Sequence, residues 1–421
     1  MGKRIVIIGA GLAGTTAARE FGERGQAVTL IDPQAGETYE RPPLSKHLFD
    51  GSRYHLPYHL GSSELVTFVS ARALQITLAE ATAESQPPAE SRPTAESQQD
   101  TAAPFGESEI AGTVSLDSGE TLEFTHCILA TGMEANAPHV PNYPDALPVY
   151  NLGEAEWIRA RVEASTKQLN VGVLGSGYLG MEVATSAVAA GHRATVYLRG
   201  TEPLRRQLSK PVRDALVARH RDAGVEFVMN LTDPADIPAG VHDLLVTSVG
   251  ARPELIPING DVPEFAWDVN EKLATSHPGV WAAGDCARVT AGPYALAHPW
   301  ACEPVAETHG KFLVQLLTGE TEQPWSDVPW HWSFQGPEKV FTAGLTRPDA
   351  GDVVIRMGPD GKKMQVFHFA GPEPDALLIG VETLGWPPMQ AAARRVLDGG
   401  HIPTRAQIED PEFDLKAHSR L

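Results

Sequence analysis

The chain has 421 residues, too many for one hydrophobic core, so two or three domains are expected. A net charge of −19 argues against a general binder of nucleic acid or of anionic membranes, and no apolar run approaches the roughly 18 residues of a membrane span. The three cysteines have neither C-x-x-C nor C-x-x-x-x-C spacing, and the histidines are scattered. A disulfide framework, a redox-active dithiol and a metal site are therefore not expected.

The first predicted unit opens with an apolar strand at Arg4–Ile8 and a G-x-G-x-x-G turn, followed by a helix from about Leu12 to Arg24. In this pattern the first glycine makes a tight turn, the second lets the backbone approach a pyrophosphate, and the third lets helix and strand pack closely. These glycines are Gly9, Gly11 and Gly14. Strand Ala27–Ile31 then ends at Asp32, where an acidic side chain accepts hydrogen bonds from a ribose 2′-hydroxyl. A loop aspartate before Pro33 is the alternative interpretation.

A charged loop follows at Tyr39–Lys46, in which two prolines fix the backbone between Arg41 and Lys46. A rigid loop with two cations can hold a diphosphate or the polar edge of a flavin ring, although composition alone indicates only a charged turn.

Residues 79–108 are of low complexity and repeat Ala-Glu-Ser three times. They offer few apolar side chains to bury, so we predict a disordered insertion in a surface loop. Beyond it we predict a hairpin with strands Thr113–Leu116 and Leu122–Leu129. The small residues Thr131 and Gly132 then let the backbone pass close to a ligand.

The strand–glycine–helix pattern occurs a second time, after a predicted helix at about Glu154–Ser165. Its glycines are Gly175, Gly177 and Gly180. A helix from about Leu179 to Ala190 and a strand at Ala194–Leu198 complete the unit. One such motif is a weak signal, but two in one chain suggest two redox dinucleotides that exchange a hydride.

The second unit lacks the acidic residue at the end of its second strand. Arg199 stands there, with Arg205 and Arg206 just beyond. A cation at this place accommodates a 2′-phosphate, so NADPH is slightly favoured over NADH; a solvated basic loop is the alternative. Glu182, two positions after Gly180, is predicted either to contact the nicotinamide side of the crevice or to cap the helix.

Two later apolar strands end in residues suited to ligand contact. One, Leu244–Val249, precedes Gly250, and the other starts at Gly279 and ends in Gly284 and Asp285. An aspartate at the carboxyl end of a buried parallel strand is well placed to bind a sugar or ribityl hydroxyl.

From about Trp325 the pattern changes to alternating strands and a closing helix, which predicts an antiparallel sheet in a third domain. The expected elements are Val353–Arg356, Met364–Phe369, Ala376–Thr383 and the helix Pro388–Asp398, preceded by a helix at about Glu303–Leu317.

Over nearly its whole length the chain resembles the FAD-dependent ferredoxin reductases of oxygenase systems, the putidaredoxin, rubredoxin and biphenyl dioxygenase reductase group of the pyridine nucleotide-disulfide oxidoreductase superfamily. The most specific match is the sequence from Arg41 to Lys46. Three short segments also match the family: Ala130–Gly132, Gly250–Pro253 and Ala283–Asp285. The segment Val328–Ser333 also matches.

The resemblance implies a role for each matching residue. Gly9, Gly11, Gly14 and Asp32 would hold the FAD adenosine and pyrophosphate, Arg41 the pyrophosphate, Lys46 the flavin N5 edge and Asp285 the ribityl chain. Gly175, Gly177, Gly180 and Glu182 would bind the nicotinamide cofactor, which makes Lys46 and Glu182 the residues at the reacting centre. Thr131, Gly132, Gly250, Gly284 and Arg199 complete the implied cofactor-binding set.

The sequence departs from the family pattern at three places. Arg199 replaces the acid expected for NADH. Phe334 stands where the family usually has Asp, and the helix opening at His298–Glu303 lacks the usual Arg-x-Glu-Ser pattern. Phe334 and the helix opening fall where the electron acceptor would approach, so they concern the identity of that acceptor.

The expected fold is α/β, with two Rossmann-like dinucleotide-binding domains and a C-terminal α+β domain with an antiparallel sheet. Residues 1–145 and 245–325 would form the FAD-binding domain, 146–244 the NAD(P)H-binding domain and 326–421 a C-terminal interface domain.

The implied function is that of an FAD-dependent NAD(P)H reductase that passes electrons to a ferredoxin-type iron–sulfur protein. A cytoplasmic monomer or homodimer is expected, since the apolar N-terminus carries the glycine fingerprint and no cleavage-like site. One alternative is a flavoenzyme acting on a small molecule in a pocket lined by Trp300, Trp325, Trp330, Trp332 and Trp386, which we otherwise interpret as interface core. Another is a flavin-binding interaction protein without turnover.

Overall fold

A computed structural model of the chain describes residues 3–34, 38–52, 56–57, 64–79 and 109–421. The predicted insertion at 79–108 lies, apart from Ala79, outside these residues. The chain forms two compact units. The first comprises the described residues of Met1–Tyr39, Pro57–Glu134 and Arg252–Asp327, and the second those of Glu40–Leu56, Ala135–Ala251 and Val328–Leu421. The second dinucleotide fold and the C-terminal sheet thus share one unit, while the assignment of three domains stays a prediction.

The elements up to residue 163 are short. The strands are β1 (Ile5–Ile8), β2 (Val28–Ile31), β3 (Val66–Val69), β4 (Ala73–Leu78), β5 (Gly112–Leu116), β6 (Thr121–Phe124), β7 (His126–Leu129), β8 (Met133–Ala135) and β9 (Leu147–Pro148). The helices are α1 (Leu12–Glu23), α2 (Pro42–Lys46) and α3 (Leu152–Glu163).

The middle of the chain holds the second glycine turn. Its strands are β10 (Asn170–Leu174), β11 (Arg193–Tyr197), β12 (Val225–Val228), β13 (Leu244–Thr247), β14 (Ala251–Pro253), β15 (Trp267–Val269), β16 (Val280–Ala282) and β17 (Ala287–Val289). Its helices are α4 (Tyr178–Ala189), α5 (Lys210–Asp222) and α6 (Glu303–Thr318).

The C-terminal part has five strands and three helices among its described elements. They are β18 (Trp330–Gln335), β19 (Glu338–Gly344), β20 (Val354–Met357), β21 (Met364–Phe369), β22 (Leu378–Leu384), α7 (Pro387–Asp398), α8 (Arg405–Glu409) and α9 (Leu415–His418).

The first unit is built on a parallel sheet with the strand order β16-β7-β1-β2-β3. Every residue of β1 is buried, as expected for a central strand whose two faces are both covered. Helices α1 and α6 approach closely at Gly310, where a Cβ atom would lie 2.6 Å from the carbonyl oxygen of Ala13. A three-stranded antiparallel sheet, β4-β5-β6, and the parallel pair β15-β17 complete the unit.

The predicted strand Leu122–Leu129 is wrong as a single element. Its first half is β6, which pairs with β5, whereas its second half is β7, which pairs with β1 in the parallel sheet. The chain changes sheets at Thr125, whose Oγ1 accepts a hydrogen bond from the Arg4 amide at 2.9 Å. An apolar run that is continuous in sequence therefore serves two sheets.

The second unit contains one parallel and one antiparallel sheet. The parallel sheet has the order β12-β11-β10-β13-β9, and the antiparallel sheet has the order β18-β19-β22-β21-β20. The predicted fold class, with two Rossmann-like sheets and a C-terminal antiparallel sheet, is confirmed. Strands β18 and β19 were not predicted, because β18 buries Ser333 and Gln335 and leaves Trp332 and Phe334 half-buried. This reverses the usual polarity of an alternating strand.

Helix α5 is attached to the antiparallel sheet near both of its ends. At the N-terminus, the amide and hydroxyl groups of Ser209 donate to the buried carboxylate of Glu382 on β22. In the last turn, His220 Nε2 donates to Gln335 Oε1 on β18 at 2.7 Å. Because these polar groups are buried, breaking either attachment would leave unsatisfied partners, so the parallel fold and the antiparallel sheet are held together.

Candidate functional site

The first glycine turn is shaped by close backbone contacts. A Cβ atom on Gly9, whose φ is +104°, would lie 2.3 Å from the carbonyl oxygen of Ala130, and one on Gly14 would lie 1.9 Å from that of Gly9. A Cβ atom on Gly11 would meet no atom within 4 Å among the described residues. A side chain at Gly9 or Gly14 would collide with the backbone, so glycine is needed at both positions whether or not a ligand is bound. The middle one leaves open space at the start of α1, which fits a pyrophosphate.

The carboxylate of Asp32 is anchored beside this turn. Its Oδ2 accepts a hydrogen bond from the Ala10 amide and its Oδ1 one from the Gln34 amide, both at 2.8 Å. Each carboxylate oxygen can accept a second hydrogen bond, so the arrangement fits a ribose with two hydroxyl groups.

Four strands of the first sheet place their predicted site residues at one edge. Gly9 directly follows β1 and Asp32 directly follows β2, while Thr131 and Asp285 come just after β7 and β16. Since these strands are parallel, their carboxyl ends meet at the same edge, where dinucleotides bind in such sheets.

Two neighbouring glycines have positive φ angles, +71° at Gly132 and +69° at Gly284. Thr131 Oγ1 donates to the carbonyl oxygen of Glu254, which fixes the turn before Gly132. The amide of Gly284 donates to Nδ1 of His309 on α6 at 3.2 Å. Both turns are therefore held by side chains of the first unit.

His309 is a site residue that the sequence did not reveal. The side chain is 1% exposed and packs edge-on against Trp325, with the ring centroids 4.6 Å apart. Burial lowers the pKa of His309 to about 3, so the imidazole stays neutral and can accept the Gly284 hydrogen bond. A histidine within an amphipathic helix, among scattered histidines, carries no local signal of this contact.

The second glycine turn repeats the geometry of the first. A Cβ atom on Gly175, whose φ is +115°, would lie 2.1 Å from the carbonyl oxygen of Ser248, and one on Gly180 would lie 2.2 Å from that of Gly175. A Cβ atom on Gly177 would meet only the side chain of Gln207, at 3.6 Å. The middle glycine again faces space rather than backbone.

A cavity opens beside this turn, on the β13 side of the parallel sheet. It is lined by Asn136, Tyr150, Leu179, Thr247 and Gly250, among others. Thr247 is 1% exposed, and its hydroxyl has no hydrogen-bond partner among the described residues. The hydroxyl oxygen is itself covered by protein, so the fit of the cavity to a ligand rests on its lining residues and on its place beside the glycine turn.

Arg41 lies beside the same cavity, in the second unit. Its guanidinium group stands over the ring of Tyr150, 4.9 Å from the ring centroid. The predicted contact of Arg41 with a diphosphate stays a prediction.

The carboxylate of Glu182 is buried in the second unit. It is 3% exposed, and its Oε2 accepts hydrogen bonds from Ser45 Oγ at 2.5 Å and from Lys46 Nζ at 3.1 Å. Its Oε1 accepts one from Ser333 Oγ at 2.7 Å. All of these described partners are side chains, so Glu182 does not cap α4, and the structure brings the predicted pair of Lys46 and Glu182 together.

Arg199 is exposed, two residues past the end of β11. It has no hydrogen bond or ion pair within the described part of the chain. Arg205, by contrast, lies near the carboxylates of Glu202 and Asp349, at 3.7 and 3.6 Å.

The cysteines are poor nucleophiles. Burial raises the pKa of Cys302 to about 12 and also raises those of Cys127 and Cys286. All three thiols therefore stay protonated at neutral pH. Among the described residues, no group of His, Cys, Asp and Glu could hold a metal ion.

The tryptophans suggested as a pocket lining are distributed over both units. Trp300 and Trp325 belong to the first unit, and Trp325 is fully buried in its core. Trp330, Trp332 and Trp386 belong to the second unit, where Arg394 stacks on Trp330 at 3.8 Å. No helix in the described ranges is long and apolar enough to cross a membrane.

Comparisons with known proteins cover nearly the whole chain. The family model "Pyridine nucleotide-disulphide oxidoreductase" matches residues 3–301, and "Reductase C-terminal" matches residues 330–419. Rhodocoxin reductase of Rhodococcus erythropolis is 28% identical, over 98% of this chain and 93% of its own. Terpredoxin reductase of a Pseudomonas species is 29% identical, over 99% of this chain and 98% of its own. The solved ferredoxin reductase for the CYP199A2 system of Rhodopseudomonas palustris covers 99% of this chain and 100% of its own, with 25% identity and a TM-score of 0.79.

We expect His309 to make stability depend on pH. Its folded-state pKa of about 3 lies below the ordinary value of about 6.5 for histidine, so the unfolded chain binds more protons between these values. Stability is retained above pH 6.5 and falls as the pH is lowered, by about 2 to 3 kcal/mol at pH 4.5. Urea titrations followed by circular dichroism should show a smaller acid-dependent loss in His309→Gln than in the wild type. Replacement of the exposed His139 by Gln is the control. An equally steep loss in His309→Gln would contradict the assignment.

Proposed function

Because the chain belongs to the pyridine nucleotide-disulphide oxidoreductase family, we propose that it is a ferredoxin reductase that passes electrons from NAD(P)H through FAD to an iron–sulfur protein. The family binds FAD and uses NAD(P)H. One observation carries the proposal: the chain has two glycine turns, each at the carboxyl edge of its own parallel sheet, and therefore one place for each dinucleotide. The full-length similarity to reductases named for rhodocoxin and terpredoxin supports the choice of acceptor.

In the first unit the residues would act by binding and orientation. The open side of Gly11 would receive the FAD pyrophosphate, Asp32 would accept from the ribose, and Asp285 would hold the ribityl chain. Bound FAD supplies the chemistry, since it accepts a hydride and releases electrons singly. The protein's contribution is to orient the cofactor, and His309 serves this by holding Gly284.

In the second unit the nicotinamide cofactor would lie across the switch point between β10 and β13. The pyrophosphate would sit at Gly177, and the nicotinamide half would reach the cavity on the β13 side. Lys46 and Glu182 would stand at the reacting centre as an ion pair.

The first test is anaerobic mixing of the purified holoprotein with NADH or NADPH, with flavin bleaching followed by stopped flow. We expect rapid bleaching, followed by reduction of an added [2Fe–2S] ferredoxin. Bleaching without transfer to any of a panel of ferredoxins and rubredoxins would indicate a flavoenzyme that acts on a small molecule. No bleaching with either nicotinamide would refute the proposal and indicate a flavin-binding protein without turnover.

The two open glycines allow the two cofactor sites to be separated. Alanine at Gly11 or Gly177 meets little protein, and both residues already have extended backbone angles that alanine adopts. Gly11→Ala should keep its circular dichroism spectrum but bind FAD at least about tenfold more weakly, because the Cβ atom enters the pyrophosphate space. Gly177→Ala should retain FAD and instead show a raised KM for NAD(P)H. Loss of FAD from Gly177→Ala alone would contradict the assignment of the two turns.

We further propose that NADPH is slightly preferred over NADH, because Arg199 is an exposed cation available to a 2′-phosphate. Exposed ion pairs contribute about 0.2 to 1 kcal/mol, so the preference should be no more than about fivefold. Arg199→Ala should raise the KM for NADPH by a similar factor and leave that for NADH unchanged. Arg205→Ala is the control, since Arg205 already has acidic neighbours. A wild-type preference for NADH, as in relatives named ferredoxin–NAD(+) reductases, would refute the role of Arg199 and keep the reductase.

A further inference from the structure

The buried carboxylate of Glu182 is the end point of a chain of hydrogen bonds through the C-terminal sheet. His220 Nε2 donates to Gln335 Oε1 at 2.7 Å, Gln335 Nε2 donates to Ser333 Oγ at 3.1 Å, and Ser333 Oγ donates to Glu182 Oε1 at 2.7 Å. We call these four residues the β18 chain. Lys46 contacts the other carboxylate oxygen, so the β18 chain and the ammonium group reach Glu182 from different elements.

Each bond of the β18 chain determines the direction of the next. Gln335 donates its amide hydrogen to Ser333 Oγ, so the single hydroxyl hydrogen of Ser333 is directed to Glu182. Because the Glu182 carboxylate accepts from Ser333, and Ser333 accepts from Gln335 Nε2, Gln335 Oε1 faces His220 and makes His220 Nε2 the donor. Without that donor the amide could turn its oxygen toward Ser333, and the hydroxyl would then point away from Glu182. His220 thus influences a carboxylate that it does not touch.

The members of the β18 chain are at most 3% exposed, so water cannot readily replace a missing partner. A buried carboxylate is stabilised in its charged form by the donors around it, and each lost donor favours the neutral acid. If Glu182 became neutral, Lys46 would lose its ion pair, and its remaining partner among the described residues would be the carbonyl oxygen of Pro42.

The other titratable groups near Glu182 leave Lys46 as its counter-ion. The titratable side chains on α4 and on the elements that pack closely against it, besides Glu182, are Lys46, Tyr178, Arg193, Tyr197, Glu226 and His331. Burial raises the pKa of Tyr178 and lowers that of His331 to about 4, so both are neutral around pH 7. The three groups on β11 and β12 make no bond to Glu182 within the described residues. The buried carboxylate of Glu382, whose charge also acts on Tyr178, accepts its hydrogen bonds from Ser209.

We propose that Ser333, Gln335 and His220 are positioning residues that keep Glu182 ionised and oriented, and through it hold Lys46 in place for hydride transfer. This inference rests on the proposed function. Phe334, the departure from the family pattern, lies outside the β18 chain, because the alternation of β18 turns it to the opposite face, against Phe341.

The test compares two buried glutamines of the same antiparallel sheet. Gln335→Leu removes a member of the β18 chain. Gln365→Leu removes a glutamine that is 1% exposed and bonds Thr383 and Met389 instead. For each variant, the rate of anaerobic flavin reduction is measured against pH in the holoprotein. We expect the acid limb of the Gln335→Leu profile to move up by about one pH unit, because a charged group loses a donor, while the Gln365→Leu profile coincides with the wild type.

A second readout does not require turnover. Infrared difference spectra of the oxidised holoprotein between acid and neutral pH should contain a protonated-carboxyl band that disappears in Glu182→Gln. Its midpoint should shift upward in Gln335→Leu, and less so in His220→Phe. If Gln335→Leu does not fold, Ser333→Ala is measured in its place, and the midpoint of its infrared band should also shift upward. Ser333→Thr keeps the hydroxyl group, so its midpoint should return to the wild-type value.

The outcomes separate the two proposals. If the wild type is reduced by NAD(P)H but Gln335→Leu and Gln365→Leu behave alike in both readouts, the β18 chain has no positioning role and the reductase assignment stands. If the wild type is not reduced, the proposed function fails, and the infrared midpoint then decides alone whether the β18 chain controls Glu182.

Discussion

The buried carboxylate of Glu182 connects separate parts of the second unit. Ser45 and Lys46 come from α2, Ser333 comes from β18, and Glu182 itself lies on α4, so one carboxylate joins three parts of the chain. A buried charge without donors would cost several kcal/mol, on the order of 3 to 5 when a partner is removed. This cost makes the arrangement of the three elements cooperative, and it fixes the ion pair of Lys46 and Glu182 in one place.

The glycine turns are governed by a different constraint, the approach of one backbone to another. Gly9 and Gly175 each face a carbonyl oxygen of the neighbouring strand, and Gly14 and Gly180 each face the carbonyl of the first glycine of their own turn. Any side chain there would collide with main-chain atoms that cannot move aside. The same pattern therefore produces the same turn geometry twice, and each turn is a candidate place for a dinucleotide.

The family and the fold class predicted from the motifs are confirmed. The predicted strands that became β1, β2, β11 and β13 begin and end within two residues of their predicted bounds, whereas β3, β9 and β12 of the parallel sheets were not predicted. Two predictions failed for physical reasons. The run Leu122–Leu129 was divided because consecutive apolar residues serve two sheets, and β18 was missed because its buried face is polar. The roles of the individual site residues stay predictions.

The sequence by itself determined the two dinucleotide folds, because apolar strand, glycine turn and helix are local patterns and the whole pattern occurs twice. The family resemblance suggested Lys46 and Glu182 for the reacting centre, which stays a prediction, and the structure shows that the two side chains form an ion pair. Only the tertiary structure decided what surrounds them. Ser45 lies 137 positions before Glu182 and Ser333 lies 151 positions after it, and His309 reaches Gly284 from another element. Hydrogen bonds over such separations leave no periodicity or spacing in the chain, since they depend on how the sheets pack rather than on neighbouring residues.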